Sequence, residues 1–311
     1  MKKRKLLQSG LLVSEVGLGC MSFANFYGAT NERESHETLF AAMDFGLDFL
    51  DTASLYGWGL SEEIIGSFIK DHKGHFKIAT KAGIARDLVT GVRCFDNSYA
   101  HLKESLENSL KRLGVDSIEL FYIHRRDQRE KIEDVMESLL SFKREGKIQG
   151  IGFSEIAPTS LQRACKVGHV DAVQSEYSLW TRYPELGLLK ACEDLNVAFI
   201  PFSPLGRGVL TDQFPNPKKF GKEDFRKDNP RFTEPNYGMN LEKLKLFRTY
   251  ASDMGYATSA LAIAWNLAKG KHLIPIPGTR SKKHLLDFLG ASEINLNREK
   301  IEEIEKILPL G

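Results

Sequence analysis

Apolar positions along this chain follow two periods in alternation. Short β-branched or aromatic runs are each succeeded by a stretch in which apolar residues recur every three or four positions. That order is the pattern of a parallel sheet whose strands are joined by crossover helices. Eight strands are expected, near 16–19, 49–51, 76–80, 118–123, 148–153, 172–174, 198–202 and 273–276. Between them, Leu102, Leu106, Leu110 and Leu113 share one helical face that Gly114 closes, and Ile132, Val135, Met136, Leu139 and Leu140 form another that Gly146 closes. Asn31 with Glu34 resembles a capping box. The Ser9-Gly10 turn between Leu6-Leu7 and Leu11-Leu12-Val13 predicts a small hairpin ahead of the first parallel strand, placed to plug the bottom of a barrel. The expected fold is therefore α/β, a (β/α)8 TIM barrel with an N-terminal β-hairpin, with 1–311 as one domain.

One segment breaks the rhythm. From 210 to 240 the chain carries Pro215, Pro217, Pro230 and Pro235, many charges and no apolar period, which predicts a lid or a disordered insert. Helical spacing returns at Leu244, Phe247, Ala251 and Met254. Beyond Leu289 only a short tail remains, with Ile301, Ile304 and Leu308 on one helical face. So little material predicts an open, permissive pocket.

Composition narrows the function classes. With 311 residues, 42% of them hydrophobic and 27% charged, the chain can bury a large core and is not a disordered polymer. A formal net charge of +2, with no long basic block, gives no field suited to nucleic acid or a membrane surface. The apolar stretches at 197–202 and 260–268 fall far short of the ~20 residues of a membrane span. The basic start Met1-Lys2-Lys3-Arg4-Lys5 lacks the apolar run of a secretory signal, so a cytoplasmic location is expected. Cys20, Cys94, Cys165 and Cys192 form no Cys-x-x-Cys pair and have no histidine at ligand spacing. Reduced thiols and no metal site are the expectation.

In a barrel of this kind the chemistry lies at the C-terminal ends of the strands. There Asp51 ends the second strand, Lys81 the third and His124 the fourth, with Tyr56 five residues beyond Asp51. Taken singly, each has a structural explanation: a turn cap, a solvated charge, a packing aromatic, a satisfied histidine. Together at one end of three consecutive strands they form a set with a specific use. Hydride addition to a carbonyl creates an alkoxide that needs a proton donor beside it. A phenol is a weak acid at its usual pKa of about 10, and a neighbouring ammonium lowers that value. Lys81 would supply the ammonium, Asp51 would hold it, and His124 would orient the carbonyl oxygen. A metal-dependent barrel hydrolase using His124 and Asp51 as ligands is the competing class. The next strand ends, however, offer Ser154, Gln174 and Phe202 rather than further ligands.

The run Gly46-Leu47-Asp48-Phe49-Leu50-Asp51-Thr52-Ala53-Ser54-Leu55-Tyr56-Gly57, followed by Ser61-Glu62 and Gly66, resembles the signature of the aldo-keto reductase family. The stretch from Ser105 to Asp116 with Leu120-Phe121-Tyr122-Ile123-His124 is similar to its second motif, and Ile274-Pro275-Ile276-Pro277-Gly278-Thr279-Arg280 to its last. The likeness runs nearly end to end, on the monomeric bacterial and plant side of the family. It implies a barrel that binds NADP (as NADPH) without a Rossmann domain and reduces small-molecule aldehydes or ketones, with Tyr56 as general acid. It also implies that Ser154 and Gln174 meet the nicotinamide carboxamide and that Phe202 stacks on the ring. Ser203, Leu205, Gly206 and Arg207 would pass over the pyrophosphate. Gly278, Thr279, Arg280, Lys282, His284 and Asp287 would surround the adenosine 2′-phosphate end. Glu155, His284, Asp287 and Phe288 stand where many members have Asn, Arg, Glu and Asn.

Some family members are β subunits of potassium channels. A cofactor-binding regulatory subunit with slow turnover is therefore the alternative, ranked below a monomer or weak homo-oligomer that acts as an enzyme. Arg125 and Arg126, directly after His124, leave two readings open: attraction of an anionic substrate, or, more simply, a solvated or internally paired loop. Trp58 and Trp180 stand in loops at strand ends, to line the pocket or to pack. Tyr99 and Lys103 have the Tyr-x-x-x-Lys spacing of short-chain dehydrogenases, but on an outer helix, which makes the match a coincidence.

Overall fold

Alternation along the strands builds this molecule from the inside. In the computed structural model, which describes residues 1–87, 90–222 and 224–309, the strands are β1 (Lys3–Lys5), β2 (Leu12–Ser14), β3 (Leu18–Gly19), β4 (Phe49–Asp51), β5 (Lys77–Ala82), β6 (Ile84–Arg86), β7 (Arg93–Phe95), β8 (Ile118–Ile123), β9 (Ile148–Ser154), β10 (Ala172–Glu176) and β11 (Ala198–Phe202). Glu223 of the 210–240 segment and the last two residues of the expected 1–311 domain lie outside the described residues. Seven strands form one parallel sheet in the spatial order β3-β4-β5-β8-β9-β10-β11.

The eighth run, expected at 273–276, does not form a regular strand, yet it closes the barrel. Ile274 and Ile276 donate to Phe199 and Pro201 of β11 at 2.9 and 3.0 Å, while Pro275 and Pro277 accept from Gly17 and Gly19 at 2.9 and 3.0 Å. Single parallel bridges join Gly19 to Gly278 and Phe199 to Leu273. Both prolines sit on the side facing β3, where their missing N–H groups remove half of that ladder. The barrel shape survives; the strand assignment does not.

Successive side chains on a strand point to opposite faces. Phe49, Ala79, Leu120, Ala172, Ala198 and Ile274 turn inward and pack with Leu6, Leu7 and Val13 of the hairpin β1–β2, which fills the bottom of the barrel as expected. Gly150 makes room for that plug: a Cβ there would lie 2.3 Å from Leu7 Cδ2 and 3.1 Å from the Glu119 carbonyl. The outward residues, among them Leu50, Ile78, Phe121, Ile151, Val173 and Phe199, join the larger core beneath the surrounding helices.

Those helices are α1 (Glu32–Asp44), α2 (Leu60–Ile69), α3 (Tyr99–Leu113), α4 (Ile132–Arg144), α5 (Pro158–Val167), α6 (Leu188–Asp194), α7 (Asn236–Asp253), α8 (Thr258–Ala268), α9 (Lys282–Leu289) and α10 (Arg298–Ile307). Asn31 caps α1 by accepting the Glu34 N–H at 2.9 Å, and Gly114 ends α3 with φ 68°. The stripes on α3 and α4 are buried, Leu140 only partly. Among the described residues, no helix is long and apolar enough to cross a membrane.

The 210–240 segment is neither a bare lid nor unstructured over its described residues. Short turns at Pro217–Lys219 and Pro230–Phe232 fold it back, Phe232 is buried between Phe220 and Tyr237, and Tyr237 donates its hydroxyl to the Pro215 carbonyl. It lies across the C-terminal mouth of the barrel, and α7 begins there, before the first apolar repeat at Leu244.

Candidate active site

The inward alternation that packs the barrel bottom also selects the residues at its top. Two positions beyond Phe49 is Asp51; two beyond Ala79 is Lys81; Leu120 leads through Tyr122 to His124; Ala172 leads to Gln174 and Glu176; Ala198 leads through Ile200 to Phe202. β5 runs two residues further than expected, so Lys81 lies within it rather than at its end.

The four candidate catalytic residues converge. Lys81 is fully buried (0% exposed). Its ammonium donates to Asp51 Oδ1 and to the Thr52 carbonyl at 2.7 Å, and lies 3.5 Å from the Tyr56 hydroxyl. Asp51 Oδ2 accepts from Gln174 Nε2 at 2.8 Å. The Tyr56 and His124 rings meet edge to face with centroids 5.9 Å apart.

The motif residues around them hold this geometry. Thr52 donates to Ser61, which donates to the Cys20 carbonyl, at 2.8 and 3.0 Å. Glu62 accepts from Thr80 at 2.5 Å and from Arg112 at 2.7 Å. Gly66 lets α2 rest on α3: a Cβ there would sit 2.1 Å from the Arg112 carbonyl. Ser54 donates its hydroxyl to the Lys81 carbonyl at 2.9 Å, fixing the turn that carries Tyr56.

Burial and charge set the protonation states. Burial opposes charge on Lys81, but Asp51 and Tyr56 outweigh it and hold the pKa above the usual lysine range. For Tyr56, burial is the largest influence and pushes the phenol upward; Lys81 pulls it down by less. The ammonium thus acts as the sequence implies, while the net direction in this buried site is the opposite. Tyr56 is held as a neutral phenol. Burial, then the charges of Lys81, Arg125 and Arg93, depress His124 well below the ordinary histidine value of 6.5. Among the described residues its buried Nδ1 has no hydrogen-bond partner, and in the tautomer with the hydrogen on Nε2 the neutral ring can donate to a ligand.

A neutral buried histidine implies a sign for stability against pH. As pH falls below 6.5 the unfolded chain takes up a proton that folded His124 refuses, so stability declines by at most about 1.4 kcal/mol per pH unit from this group. His124→Gln should therefore lose less stability than the parent between pH 7 and pH 5. Denaturant titrations at the two pH values check this, and equal losses would contradict it.

One cleft of about 1720 Å³ opens above this set. Asp51, Tyr56, His124, Ser154, Gln174, Phe202, Ser203, Leu205, Arg207, Gly278, Thr279, Arg280, His284 and Asp287 line it. Lys81 lies beneath. Gly206 and Lys282 are not on the wall; Gly206 makes a tight turn (φ 56°) under Trp180, and Lys283 takes the place expected of Lys282. Trp58 and Trp180 are likewise off the wall: Trp58 stacks under Arg86, with 4.2 Å from guanidinium carbon to ring centroid, and Trp180 packs toward Phe232. Glu155, Ser203 and Arg207 all have positive φ, so strained non-glycine backbone clusters at the strand ends around the cleft.

Several wall residues escaped the sequence reading. Glu176 accepts from Arg207 and Arg231 at 3.0 and 2.5 Å, tying the 205–210 turn to the segment above it. Tyr27 meets Phe225 edge to face at 5.0 Å, and Arg280 donates to the Gly28 carbonyl at 2.7 Å, so the loop before α1 closes over one end. Glu176 had a signal, since it continues the inward period from Gln174; the loop contacts had none. Among the described residues, no three His, Cys, Asp or Glu side chains are grouped to hold a metal ion.

By fold, the chain is one of the (β/α)8 barrels that carry their polar set at the C-terminal mouth. More narrowly, it belongs to the aldo/keto reductase family, whose model matches residues 15–309. An aldo-keto reductase of Schizosaccharomyces pombe, named for NADP(+), is 36% identical over 299 residues, covering 94% of this chain and 88% of the yeast protein. The structure of a glycerol dehydrogenase from Gluconobacter oxydans superposes with a TM-score of 0.89 at 27% identity, covering 98% of this chain and 94% of that one. An aldo-keto reductase from Bacillus halodurans in its holo form superposes with a TM-score of 0.80 at 27% identity, covering 99% and 96%.

Proposed function

We propose that this protein reduces aldehydes and ketones to alcohols with NADPH, using Tyr56 as the general acid. The observation that carries this reading is the fully buried Lys81 ammonium 3.5 Å from a phenol that lines the cleft.

The cleft fits the cofactor on its own terms. Ser154 Oγ accepts from Arg125 at 2.9 Å, so its hydrogen is left to donate; Gln174 spends its amide on Asp51, so its carbonyl oxygen is left to accept. One free donor and one free acceptor side by side match the C=O and NH2 of a primary carboxamide. Phe202, half-buried at the lip, offers a ring face beside them. Gly278 approaches Gly19 so closely that a Cβ would lie 3.2 Å from its carbonyl, which keeps the groove open. Ser203, Leu205 and Arg207 flank the middle. At the far end, Arg280, Lys283 and His284 surround the start of α9 with no carboxylate in ion-pairing range among the described residues, as a 2′-phosphate requires.

When bound there, NADPH supplies the hydride. His124 Nε2 orients the carbonyl oxygen, and the neutral Tyr56 phenol gives that oxygen its proton as the carbon takes the hydride. The phenolate left behind faces the Lys81 ammonium, which Asp51 keeps charged, until a solvent proton restores it. Because burial holds the Tyr56 pKa high, the acid form is present across the neutral range. The decisive experiment follows NADPH absorbance with aromatic and aliphatic aldehydes and quantifies the alcohol. Stoichiometric alcohol formation is expected. Tight NADPH binding with no turnover on any carbonyl would replace this reading with that of a regulatory subunit.

A further inference from the structure

Three of the six arginines that line the cleft are ion-paired. Arg207 and Arg231 share Glu176, and Arg226 pairs with Asp224 at 2.6 Å. Two near His124 are not. Arg125 spends a single nitrogen, Nη1, on the His124 carbonyl at 2.6 Å and on Ser154 Oγ at 2.9 Å. Among the described residues, its other nitrogens have no hydrogen-bond partner, and no carboxylate lies within 4.0 Å of it. Glu155 acts on it only from beyond that range, and Glu155 itself accepts the Glu176 N–H at 3.0 Å. Arg93, on the β6–β7 hairpin, lines the same cleft, also without an ion-pair partner among the described residues, and its charge acts on both His124 and Arg125. Asp51 and Lys81 cancel, and Tyr56 and His124 are neutral. Counting Glu155 against the two arginines, the substrate end of the cleft keeps a net positive charge.

A half-buried guanidinium without a counter-ion is costly, and the cost is offset when a ligand brings the missing anion. Arg126, the other arginine after His124, shows the contrast: it donates to the Glu130 carbonyl at 2.7 Å, sits among Asp127, Glu130 and Glu133, and is off the cleft wall. The two neighbours thus divide the two readings between them. Arg126 is hydrogen-bonded within its own loop and turned away from the cleft, and Arg125 faces the site.

We propose that the preferred substrates are carbonyl compounds bearing an anionic group, a carboxylate or a phosphate ester, which Arg125 and Arg93 hold while the carbonyl oxygen meets Tyr56 and His124. This rests on the reductase reading and narrows it to a substrate class. A guanidinium fork offers paired donors that match either anion, so geometry leaves the choice between the two to experiment.

The test compares 4-formylbenzoate and 4-formylphenyl phosphate with the neutral, similarly sized 4-formylbenzamide, using NADPH and the full-length protein. At least one anion should exceed the amide about tenfold or more in kcat/KM, mainly through KM, and the advantage should shrink with added salt. In Arg93→Gln and in Arg125→Gln the ratio of anionic to neutral kcat/KM should fall about fivefold or more. The ratio is read within each variant, so a general loss of activity does not imitate the effect. Equal kcat/KM for anions and amide in the parent protein, or a ratio unchanged in both variants, overturns this proposal while leaving the reductase reading intact. Turnover of none of the three overturns both.

Discussion

Tyr56→Phe should lower turnover of aldehydes by a factor of about 10² to 10⁴ and leave NADPH affinity nearly unchanged, since general acid catalysis contributes about that much. The substitution removes one oxygen and little else. Tyr56 is packed against Phe26 at 5.8 Å and against His124, and a phenylalanine ring keeps those edges. Among the described residues the hydroxyl makes only the long contact to Lys81, so losing it exposes no strong unpaired group. The loss should therefore be chemical rather than structural. It should appear in kcat and kcat/KM to a similar degree, because the proton is needed only as the alkoxide forms. Steady-state assays beside a fluorescence titration with NADPH decide it. Full activity in the variant would remove Tyr56 from the chemistry, and a parallel loss of cofactor affinity would make it a packing residue.

Much of this arrangement is legible in the sequence, for a physical reason. Strand alternation is rigid, so once Phe49, Ala79 and Leu120 are read as inward, Asp51, Lys81 and His124 must share the barrel's upper face. Tyr56 follows from a turn whose hydrogen bonds are local: its N–H reaches the Ala53 carbonyl at 3.0 Å, and Ser54 donates to the next strand. Helices α3 and α4 were equally readable from their stripes. The eighth strand was read from its apolar residues, but Pro275 and Pro277 deny it a regular ladder, and only the neighbouring strands show that it closes the barrel all the same.

What could not be read depends on contacts distant in sequence. The β6–β7 hairpin is short and charged, with neither period, and its place beside His124 is set by Asn97, which donates to the Arg125 carbonyl at 3.1 Å and accepts the Asp127 N–H at 2.7 Å. Hence Arg93 was invisible as a wall residue. The same holds for Tyr27, which finds Phe225 far along the chain; Arg207 was expected in the cleft, but its pairing with Glu176 of β10 was not legible. The upward net shift of Tyr56 was missed because a motif names the neighbouring charges but not the depth of burial, and in this site burial is the larger influence.

Depth of burial also governs the second large effect expected here, in Lys81→Met. The ammonium is fully buried and carries the compensation for Asp51, whose remaining bond is to Gln174. Removing one member of such a pair strands the other, which costs about 3–5 kcal/mol out of a typical total of about 5–15 kcal/mol. With Lys81 gone, burial drives Asp51 to bind a proton, and the phenolate formed in turnover loses the cation that most strongly favours it. Both stability and turnover should therefore fall together, turnover by about 10² or more. The double variant Asp51→Asn with Lys81→Met separates the two losses. The introduced amide still accepts from Gln174 and buries no charge, so denaturant midpoints should recover a substantial part of the lost stability, as expected when both partners of a buried pair become neutral. Turnover should stay at the level of the single variant, since the ammonium beside Tyr56 is missing from both proteins. A double variant that regains stability and turnover together would mean that Lys81 serves the fold alone, and that the proton leaves Tyr56 without the help of its charge.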